Sequence, residues 1–484
     1  MLDYGLMAPT MFVGLVCFLL IGFPAAFSLS ALGLCFGALA IHVGYFGPEF
    51  LQALPYRTFG IMSNDLLLAI PFFTFLGAVL ERSGLAEDLL EGAGQLFGPF
   101  PGGLAFAVVL VGAILGAVTG TVAASVIAMG MISLPVMLKY GYDMRIGTGV
   151  IAASGTIAQV IPPSLVLIIL ADQLGVSVGD MYLGAIGPSM LQVGSFLLFI
   201  LALAIFRPAL VPPLPAEART LHGWALLAKV AWGMIPSLVL IFLVLGTIFL
   251  GLATPTEAGA MGAVGAILLS VLHGRFSRPL IWQAMQTTAR ITAMVVFILI
   301  GATVFSLVFQ GVNGGRWIEH MLSSLPGGRT GFLLFVMVFV FFLAFFLDFF
   351  EICFIVVPML LPTARALDIN MVWFGLLLCV NIQTSFMHPP FGFALFYLRG
   401  IAPKEVKSRD IYWGSIPWIC LQLLVVLVLV FWPQSVTSWI GEHTQIDEEA
   451  VEQELQNLTI PGADDLGAPD FGIEAPPLDL GPSK

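Results

Sequence analysis

The sequence predicts an all-α polytopic membrane protein. Of its 484 residues, 59% are hydrophobic and 10% are charged, whereas a soluble domain carries roughly 25% charged residues. Several apolar stretches, among them 291–309 and 411–432, reach the roughly 20 residues that a helix needs to cross a hydrocarbon core. The formal net charge of −11 excludes an electrostatic nucleic-acid binder, which needs Lys and Arg to neutralise phosphates.

The chain also contains an internal repeat, which is common in secondary transporters. The matched segments occur in the same order in both halves, at offsets that run from 224 to 230 residues. They are Gly77-Ala78 with Gly301-Ala302, Pro101 to Gly103 with Pro326 to Gly328, Ser154 to Pro163 with Asn381 to Pro390, and Asp180 to Gly184 with Asp410 to Gly414. Four matches in register indicate a duplication.

Each repeat is predicted to contain a re-entrant helical hairpin and a discontinuous helix. The first repeat, 1–206, has its hairpin at 104–137 and its broken helix at 147–171. The second repeat, 233–432, has the corresponding elements at 331–363 and 371–398. Further helices are expected near 8–22, 25–43, 64–81, 184–206, 233–252, 256–272, 291–310 and 411–432, with an amphipathic segment at 82–98. Segment 207–232 is predicted to be a linker with a surface helix, and 433–484 an acidic, disordered tail.

The distribution of basic residues predicts the orientation in a bacterial inner membrane. With the N-terminus in the periplasm, thirteen of the 18 Lys and Arg residues fall on the cytoplasmic side, as the positive-inside rule requires. The first hairpin then enters from the cytoplasm, and the second hairpin and the C-terminal tail lie on the periplasmic side. The two repeats are therefore expected to have inverted topology.

Two double prolines, Pro162-Pro163 and Pro389-Pro390, mark where the discontinuous helices break. Proline removes a backbone donor and disfavours helix in the preceding residue. Inside a membrane, a break is tolerated only where freed backbone groups meet protein, water, an ion or a substrate. Freed carbonyls can bind Na⁺, and half-helix N-termini favour carboxylates. A simple proline kink is the alternative, although two kinks at matching repeat positions argue against it.

The hairpin tips supply the second set of candidate residues. The first tip, 116–121, is small and rich in hydroxyl groups. The second tip places Asp348 and Glu351 in an apolar run, where carboxylates are costly and typically mark an ion or substrate path. Asp348 could instead cap the second arm of its hairpin, and Glu351 fits a packing or gating partner. His388 could contact a proton or substrate, or be a hydrogen-bonded structural residue.

Enzymatic and nucleotide chemistry have no visible motif. The sequence lacks a G-x-x-x-x-G-K-[ST] phosphate loop, an H-E-x-x-H zinc motif and a G-x-S-x-G nucleophile elbow. The five cysteines lie in apolar runs and form no C-x-x-C, so they are interpreted as apolar filler. No cofactor or transition metal is expected, and an ion gradient is the remaining energy source for moving a solute.

These motifs resemble the large (M, DctM-type) membrane subunit of tripartite ATP-independent periplasmic (TRAP) transporters, from about Ala8 to Trp432. The resemblance rests on Gly22-x-Pro24, Ser154-Gly-Thr with Ile-Pro-Pro-Ser164, Ala253-Thr-Pro-Thr-Glu-Ala258, Phe346-Leu-Asp348 and Pro389-Pro-x-Gly392. The segments Asp348-Phe-Phe-Glu351-Ile and His388-Pro-Pro-Phe-Gly-Phe resemble the mannitol/chloroaromatic subgroup, which includes 2-oxo-acid systems.

The resemblance implies an elevator mechanism coupled to Na⁺. A periplasmic binding protein would deliver a small organic acid, and a four-helix Q subunit would brace the scaffold. One Na⁺ site would comprise Gly116, Thr119, Gly120, Thr121, Ser154, Gly155, Thr156, Pro162 and Pro163; the other would comprise Asp348, Asn381, Thr384, Pro389 and Pro390. The family's usual first tip is serine-glycine-serine, so Thr119-Gly120-Thr121 keeps the hydroxyls and could alter substrate choice. Two alternatives are a stand-alone Na⁺/organic-anion symporter and, without supporting motifs, a membrane enzyme.

Overall fold

The computed structural model describes residues 6–440 except Gly120, Leu221, Ser324 and Phe391. Gly120 and the predicted tail from residue 441 onward thus lie outside the described residues. Within the described range the regular elements are all helical. Eight helices there are long and apolar enough to cross a membrane, or nine if the bent pair Pro48–Met62 and Asp65–Arg82, which meet at 47°, counts as one span. The prediction of an all-helical polytopic membrane protein is confirmed.

The described part of the first half contains ten α-helices. They are α1 (Met7–Ile21), α2 (Ala25–Val43), α3 (Ala53–Met62), α4 (Asp65–Arg82), α5 (Leu85–Phe97), α6 (Gly103–Thr119), α7 (Val122–Lys139), α8 (Met144–Thr156), α9 (Leu165–Leu174) and α10 (Val178–Phe206). The caps follow the sequence. Asn64 accepts a hydrogen bond from the Leu66 N–H at the start of α4, as expected for an asparagine N-cap.

The second half contains the remaining helices. They are α11 (Gly223–Phe249), α12 (Pro255–Leu272), α13 (Arg278–Gly311), α14 (Gly314–Ser323), α15 (Gly328–Leu343), α16 (Phe349–Glu351), a π-helical turn (Ile352–Val356), α17 (Val357–Ala366), α18 (Met371–Ser385), α19 (Phe393–Ile401), α20 (Ser408–Phe431) and α21 (Gln434–Thr437). At the start of α12, Thr254 and Glu257 form a capping box, as expected for a threonine that is followed three residues later by a glutamate.

Helices α6 and α7 form the first hairpin, and both of its ends reach the same stretch of the linker. The Gly102 N–H donates to the Val211 carbonyl at 2.8 Å, and the Asp143 N–H donates to the Leu210 carbonyl at 3.0 Å. The first hairpin therefore enters and leaves on one side. Its base adjoins the segment that directly follows the C-terminal end of α10.

Helices α15 to α17 form the second hairpin, and its base lies at the other end of α10. Arg329 lies over the Trp373 ring at 5.0 Å, near the residues that follow α17. Arg365 donates to the Leu174 carbonyl at 3.2 Å, just before α10 begins. Because 29 residues of helix span about 43 Å, the two hairpin bases lie on opposite sides, which is the inverted arrangement that the repeat predicts.

Two long helices of each half, α2 and α4 in the first and α12 and α13 in the second, pack against the other half through small residues. Helix α2 packs on α13, where a Cβ added at Gly33 would lie 2.8 Å from a methyl group of Val304. Helix α12 packs on α4, where a Cβ at Gly259 would lie 3.0 Å from the Phe73 ring. Small residues allow such close approach between helices in a membrane. These four helices are called the scaffold below.

The structure corrects two boundaries. The described residues of segment 207–222 form only short 3₁₀ turns. The predicted surface helix of the linker is instead the beginning of α11, which starts at Gly223. Residues 433–440 were predicted to belong to the disordered tail, but α21 packs against α10 and α18 and buries Val436 fully. The apolar residues of this short segment explain its place in the fold.

Two helices were not predicted. Helix α3 precedes the bend into α4, and α14 corresponds in the repeat to α5. Both α5 and α14 are amphipathic: α5 buries Leu85 and Leu89, and α14 buries Ile318 and Leu322. The amphipathic segment predicted at 82–98 is therefore confirmed, and its counterpart in the second half is present as well.

Candidate functional site

The first hairpin tip is small and closely packed. Helix α6 ends at Thr119, and Thr121 precedes α7 in an extended conformation without a side-chain hydrogen bond that caps the helix. A Cβ added at Gly116 would lie 2.6 Å from the Ala158 Cα, and one at Gly112 would lie 2.6 Å from the Ser154 Cβ. Glycine thus brings this hairpin against the first broken helix at backbone distance.

The second hairpin tip is a capping box. The Asp348 carboxylate accepts a hydrogen bond from the Glu351 N–H at 2.9 Å, and the Glu351 carboxylate accepts one from the Asp348 N–H at 3.0 Å. The alternative in which Asp348 caps the second arm is confirmed, and Glu351 is its reciprocal partner. The π-helical turn that follows is of a type often found at functional sites.

The first broken helix consists of α8, a 3₁₀ turn at 157–159 and α9. The Pro162–Pro163 peptide bond within the break is cis. Ser164 accepts a hydrogen bond from the Val166 N–H at the start of α9 and donates one to the Gln159 carbonyl at 2.7 Å. The Ser154 hydroxyl is fully buried and has no hydrogen-bond partner among the described residues, which makes it available to a ligand.

The second broken helix consists of α18 and α19, with a cis bond between Pro389 and Pro390. The Asn381 amide donates to the Met337 carbonyl at 2.7 Å, and Ser385 donates to the Phe341 carbonyl at 3.0 Å. Both carbonyls belong to α15, so polar side chains fasten α18 to the second hairpin. The Thr384 hydroxyl donates to the Val380 carbonyl of its own helix at 2.8 Å.

The two breaks meet in the interior. The Cys379 thiol of α18 lies 3.4 Å from the Gln159 carbonyl, and the Thr156 hydroxyl lies 3.5 Å from the Met387 sulfur. Segments that are 220 to 231 residues apart in sequence are thereby in contact. The predicted site residues of the two halves form one region rather than two separate ones.

A cavity of about 520 Å³ joins both hairpin tips, both breaks and the scaffold. Thr121 and Asp348 line it, and Gln159 reaches it from the first break. Five aromatic residues form one part of its wall: Phe349, Phe350, Phe386, Phe393 and Tyr397. Scaffold helices α4 and α13 close the other side with Thr74, Ala78, Glu81, Arg82, Thr287, Ile291 and Met294.

Of the predicted site residues that the structure describes, Thr121 and Asp348 line this cavity directly. The polar residues Ser154, Thr156, Asn381 and Thr384 are at most 2% exposed and lie outside its lining. Sequence reasoning missed the cavity role of Gln159, although it lies in the polar run before Pro162. It also did not predict that Glu81 and Arg82 line the cavity. Their only notable feature in the sequence is that they are charged and lie near the end of an apolar helix.

His388 lies in the second break and packs against the second hairpin. Its ring stacks on Phe345 with centroids 4.8 Å apart and meets Phe341 edge-on at 5.5 Å. It does not line the cavity of about 520 Å³. Its Nδ1 atom is buried without a hydrogen-bond partner among the described residues, so both interpretations of this histidine stay predictions.

A second cavity, of about 560 Å³, lies at the opposite end of α4. Here Asn64 donates to one carboxylate oxygen of Asp172 at 2.9 Å, and Gln173 donates to the other at 2.9 Å. This cavity is lined by the second arm of the second hairpin but by neither hairpin tip. The cavity that contains Asp348 and Thr121 is therefore the candidate site.

Residues 12–435 match the family described as the DctM component of the tripartite ATP-independent periplasmic transporter. The chain belongs to this family. As a DctM component it is a transport protein and not an enzyme. Within the described residues, no group of three or more His, Cys, Asp or Glu side chains could hold a metal ion.

Several characterised permeases are similar to this DctM component. The C4-dicarboxylate TRAP transporter large permease protein DctM of Pseudomonas aeruginosa is 30% identical over 416 residues, which cover 84% of this chain and 93% of the relative. The 2,3-diketo-L-gulonate TRAP transporter large permease protein YiaN of Escherichia coli is 27% identical, covering 90% of this chain and 100% of the relative. The isethionate TRAP transporter permease protein DctMQ of Oleidesulfovibrio alaskensis is 27% identical, covering 89% and 66%.

Two solved transporters share the fold. The YdaH transporter of Alcanivorax borkumensis superposes with a TM-score of 0.62 at 18% identity, covering 89% of this chain and 99% of that one. MtrF of Neisseria gonorrhoeae superposes with a TM-score of 0.51 at 11% identity, covering 88% and 94%. At these identities the likeness concerns the fold alone.

Proposed function

We propose that this DctM component is the large permease subunit of a tripartite secondary transporter that imports a small organic anion together with Na⁺. The observation that carries the proposal is the cavity of about 520 Å³ where Thr121, Gln159 and Asp348 converge from both halves. Polar groups from the first broken helix and both hairpin tips meet there beside aromatic residues of the second broken helix, inside an otherwise apolar protein. Such convergence marks substrate and coupling-ion sites in transporters.

Na⁺ coupling is supported by the chemistry of the breaks. A hard cation takes oxygen ligands, and each double proline leaves carbonyls without helical donors. The unpaired Ser154 hydroxyl adds one oxygen at the first break. The hydroxyl of Thr121 adds another at the first tip, and the Asp348 carboxylate adds negative charge at the second. We assign one Na⁺ to each half on these grounds.

An anionic substrate fits the remaining groups in the cavity. Helix α7 begins there without a side-chain cap, so its first N–H groups and the positive end of its dipole are available to a carboxylate. The relatives' named substrates, a C4-dicarboxylate, 2,3-diketo-L-gulonate and isethionate, are all small organic anions. Because aromatic side chains line part of the cavity, a 2-oxo acid with an apolar body is included among the compounds to be tested for uptake.

Elevator movement is supported by the fold. The scaffold pairs α2 with α13 and α4 with α12, while the hairpins and broken helices pack with one another and with α10 and α20. The cavity lies where these two parts meet, at the Arg82 end of α4. The basic-residue distribution assigns that end to the cytoplasm, so the arrangement corresponds to a site reached from inside.

The partners follow from the tripartite family. We expect a small Q membrane subunit and a periplasmic binding protein. The isethionate relative is named DctMQ, and this chain covers 66% of its length, which leaves room for a second subunit in that protein. Exposed apolar side chains of α11, including Trp224 and Trp232 at 83% and 60% exposure, are available to lipid or to a partner helix.

Reconstituted uptake tests the proposal. The permease is placed in liposomes with its Q subunit and supplied with the cognate binding protein and radiolabelled succinate, 2,3-diketo-L-gulonate, isethionate or 2-oxoisovalerate. Uptake of at least one compound should require both the binding protein and an inward Na⁺ gradient. Uptake that persists without a binding protein would support the stand-alone symporter instead. Uptake that is unaffected when choline replaces Na⁺ would contradict the coupling.

A further inference from the structure

Two buried side-chain pairs connect the halves crosswise behind the cavity. Gln422 of α20 donates through its amide to the Thr156 hydroxyl of α8 at 3.1 Å. Gln383 of α18 donates through its amide to the side-chain carbonyl of Gln192 on α10. All four residues have 0% exposure. Each pair thus joins a broken helix of one half to a long helix of the other half.

The repeat makes these pairs equivalent. Thr156 and Gln383 lie 227 positions apart, as do Ser154 and Asn381, which precede the two double prolines by the same number of residues. Gln192 and Gln422 lie 230 positions apart, as do Asp180 and Asp410. The same contact is therefore made twice, and each half provides one glutamine to the other. The two contacts are called the glutamine clasps below.

Each clasp holds the end of a helix that leads into a break. Thr156 is the last residue of α8, and Gln383 is two residues from the end of α18. The glutamines that donate to these ends belong to α10 and α20. These two helices pack against each other, since Trp418 of α20 contacts Phe196 of α10 with ring centroids 4.9 Å apart. A helix end whose carbonyls are to bind an ion must be held in place, and the clasps are placed to do this.

Packing alone does not explain why the clasps use glutamine side chains. The remaining amide atoms of Gln192, Gln383 and Gln422 are buried and have no hydrogen-bond partner among the described residues. A buried amide that is half satisfied destabilises a fold relative to an apolar side chain of the same size. A methionine would fill each position without that penalty. The hydrogen bonds to the helix ends are the feature that a methionine would lose.

We propose that Gln192 and Gln422 are positioning residues that set the Na⁺ affinity of the opposite half. Gln422 fixes the end of α8, which carries the first Na⁺ site, and Gln192 fixes the end of α18, which carries the second. The inference rests on the proposed function, because it concerns the ion sites assigned there. Neither glutamine lines the cavity, so both act through the helix ends that they hold.

The test compares Gln422→Met and Gln192→Met with wild-type permease in the reconstituted complex. Loss of one hydrogen bond at a helix end should raise the Na⁺ concentration for half-maximal uptake about three- to tenfold, with little change in the maximal rate. Gln422→Glu, whose neutral acid can still donate to Thr156, should recover part of the shift. Ser415→Ala is the control. Ser415 is also a buried polar residue of α20, but its hydroxyl donates to a carbonyl of its own helix, so its loss should leave the Na⁺ dependence unchanged.

The crosswise assignment has its own readout. Combined with Ser154→Ala, which alters the first Na⁺ site, Gln422→Met should give less than the product of the two single shifts, because both act on one site. Gln192→Met combined with Ser154→Ala should give the full product. The opposite pattern would overturn the assignment. Lower maximal rates with unchanged half-maximal Na⁺ would show a purely structural role and would also overturn it.

A second measurement separates this inference from the proposed function. Wild-type uptake that does not depend on Na⁺ would remove the proposed coupling by itself. Thermal unfolding of Gln192→Met, Gln383→Met and the double variant then still tests the clasp. If the double variant is at least as stable as the less stable of the two single variants, the two side chains act as one unit. Additive losses of stability would show that the clasp does not hold the end of α18.

Discussion

The two hairpins occupy equivalent places in the repeat but attach to their broken helices by different means. The first hairpin attaches through glycine: Gly112 and Gly116 bring α6 to backbone distance of residues 154–158. The second attaches through hydrogen bonds, in which Asn381 and Ser385 of α18 donate to carbonyls of α15. Close packing of small residues and interhelical hydrogen bonds are the two means of joining helices where water is absent.

The tips differ in the same way. At the second tip, Asp348 and Glu351 satisfy each other's backbone N–H groups in a capping box. At the first tip, Thr121 makes no side-chain cap, and the start of α7 adjoins the cavity. In the proposed function, the first tip would offer backbone donors to the anion and the second a fixed carboxylate to Na⁺. Equivalent positions in the repeat would then have complementary roles.

The largest effect is expected where the first hairpin is packed most closely. Gly116→Ala places a methyl group 2.6 Å from the Ala158 backbone, and overpacking of this kind costs about 1–3 kcal/mol. The hairpin must shift away from the break. If the same free energy is lost from the transporting conformation, uptake should fall about five- to 150-fold. The control is Gly194→Ala in α10, where an added Cβ meets nothing within 4 Å and uptake should be retained. Normal uptake by Gly116→Ala would show that the close contact is dispensable.

An intermediate effect is expected at the second tip, where two substitutions separate charge from capping. Asp348→Ala removes both the charge and the N-cap, which is worth about 1 kcal/mol. Asp348→Asn keeps a good N-cap and removes the charge only. Both variants should lower Na⁺-driven uptake, but Asp348→Asn should keep the thermal stability of the wild type. Equal uptake by Asp348→Asn and the wild type would show that Asp348 serves only as a helix cap.

The smallest effect on the fold is expected at Ser154. Its hydroxyl is buried and unpaired, so Ser154→Ala removes an unsatisfied group and should leave stability unchanged or raise it by about 1 kcal/mol. Na⁺ dependence should nevertheless weaken, because one oxygen ligand of the first site is lost. Parallel measurements of thermal unfolding and of half-maximal Na⁺ for uptake show whether the two properties change in these opposite directions. A loss of stability without any change in Na⁺ dependence would contradict the ligand role.

The breaks and caps were predictable because their causes are local. The double prolines interrupt α8–α9 and α18–α19 where expected, and Asn64, Thr254 and Asp348 cap helices as their positions suggest. The beginning of α11 was missed, since an apolar segment with scattered polar residues suits a surface helix equally well. Residues 433–440 were missed because only contact with α10 and α18 orders them.

The partners of buried polar side chains could not be predicted. Gln192 and Gln422 are the only glutamines of α10 and α20, and nothing in the neighbouring residues indicates which helix each one faces. Gln159 stood in a polar run, but its position on the cavity depends on how α4 and α13 lie against the breaks. Such relations join residues more than 190 positions apart, and only packing determines them.

The sequence by itself determined that this chain lies in a membrane, is duplicated and is interrupted at two double prolines, because hydrophobicity and proline act on the residues nearest to them. Tertiary structure alone decided that both breaks meet, that Thr121, Gln159 and Asp348 share one cavity, and that each half holds the other through a glutamine. The reason is physical: an isolated helix in lipid can satisfy its own backbone, but it cannot specify which neighbour will satisfy its side chains.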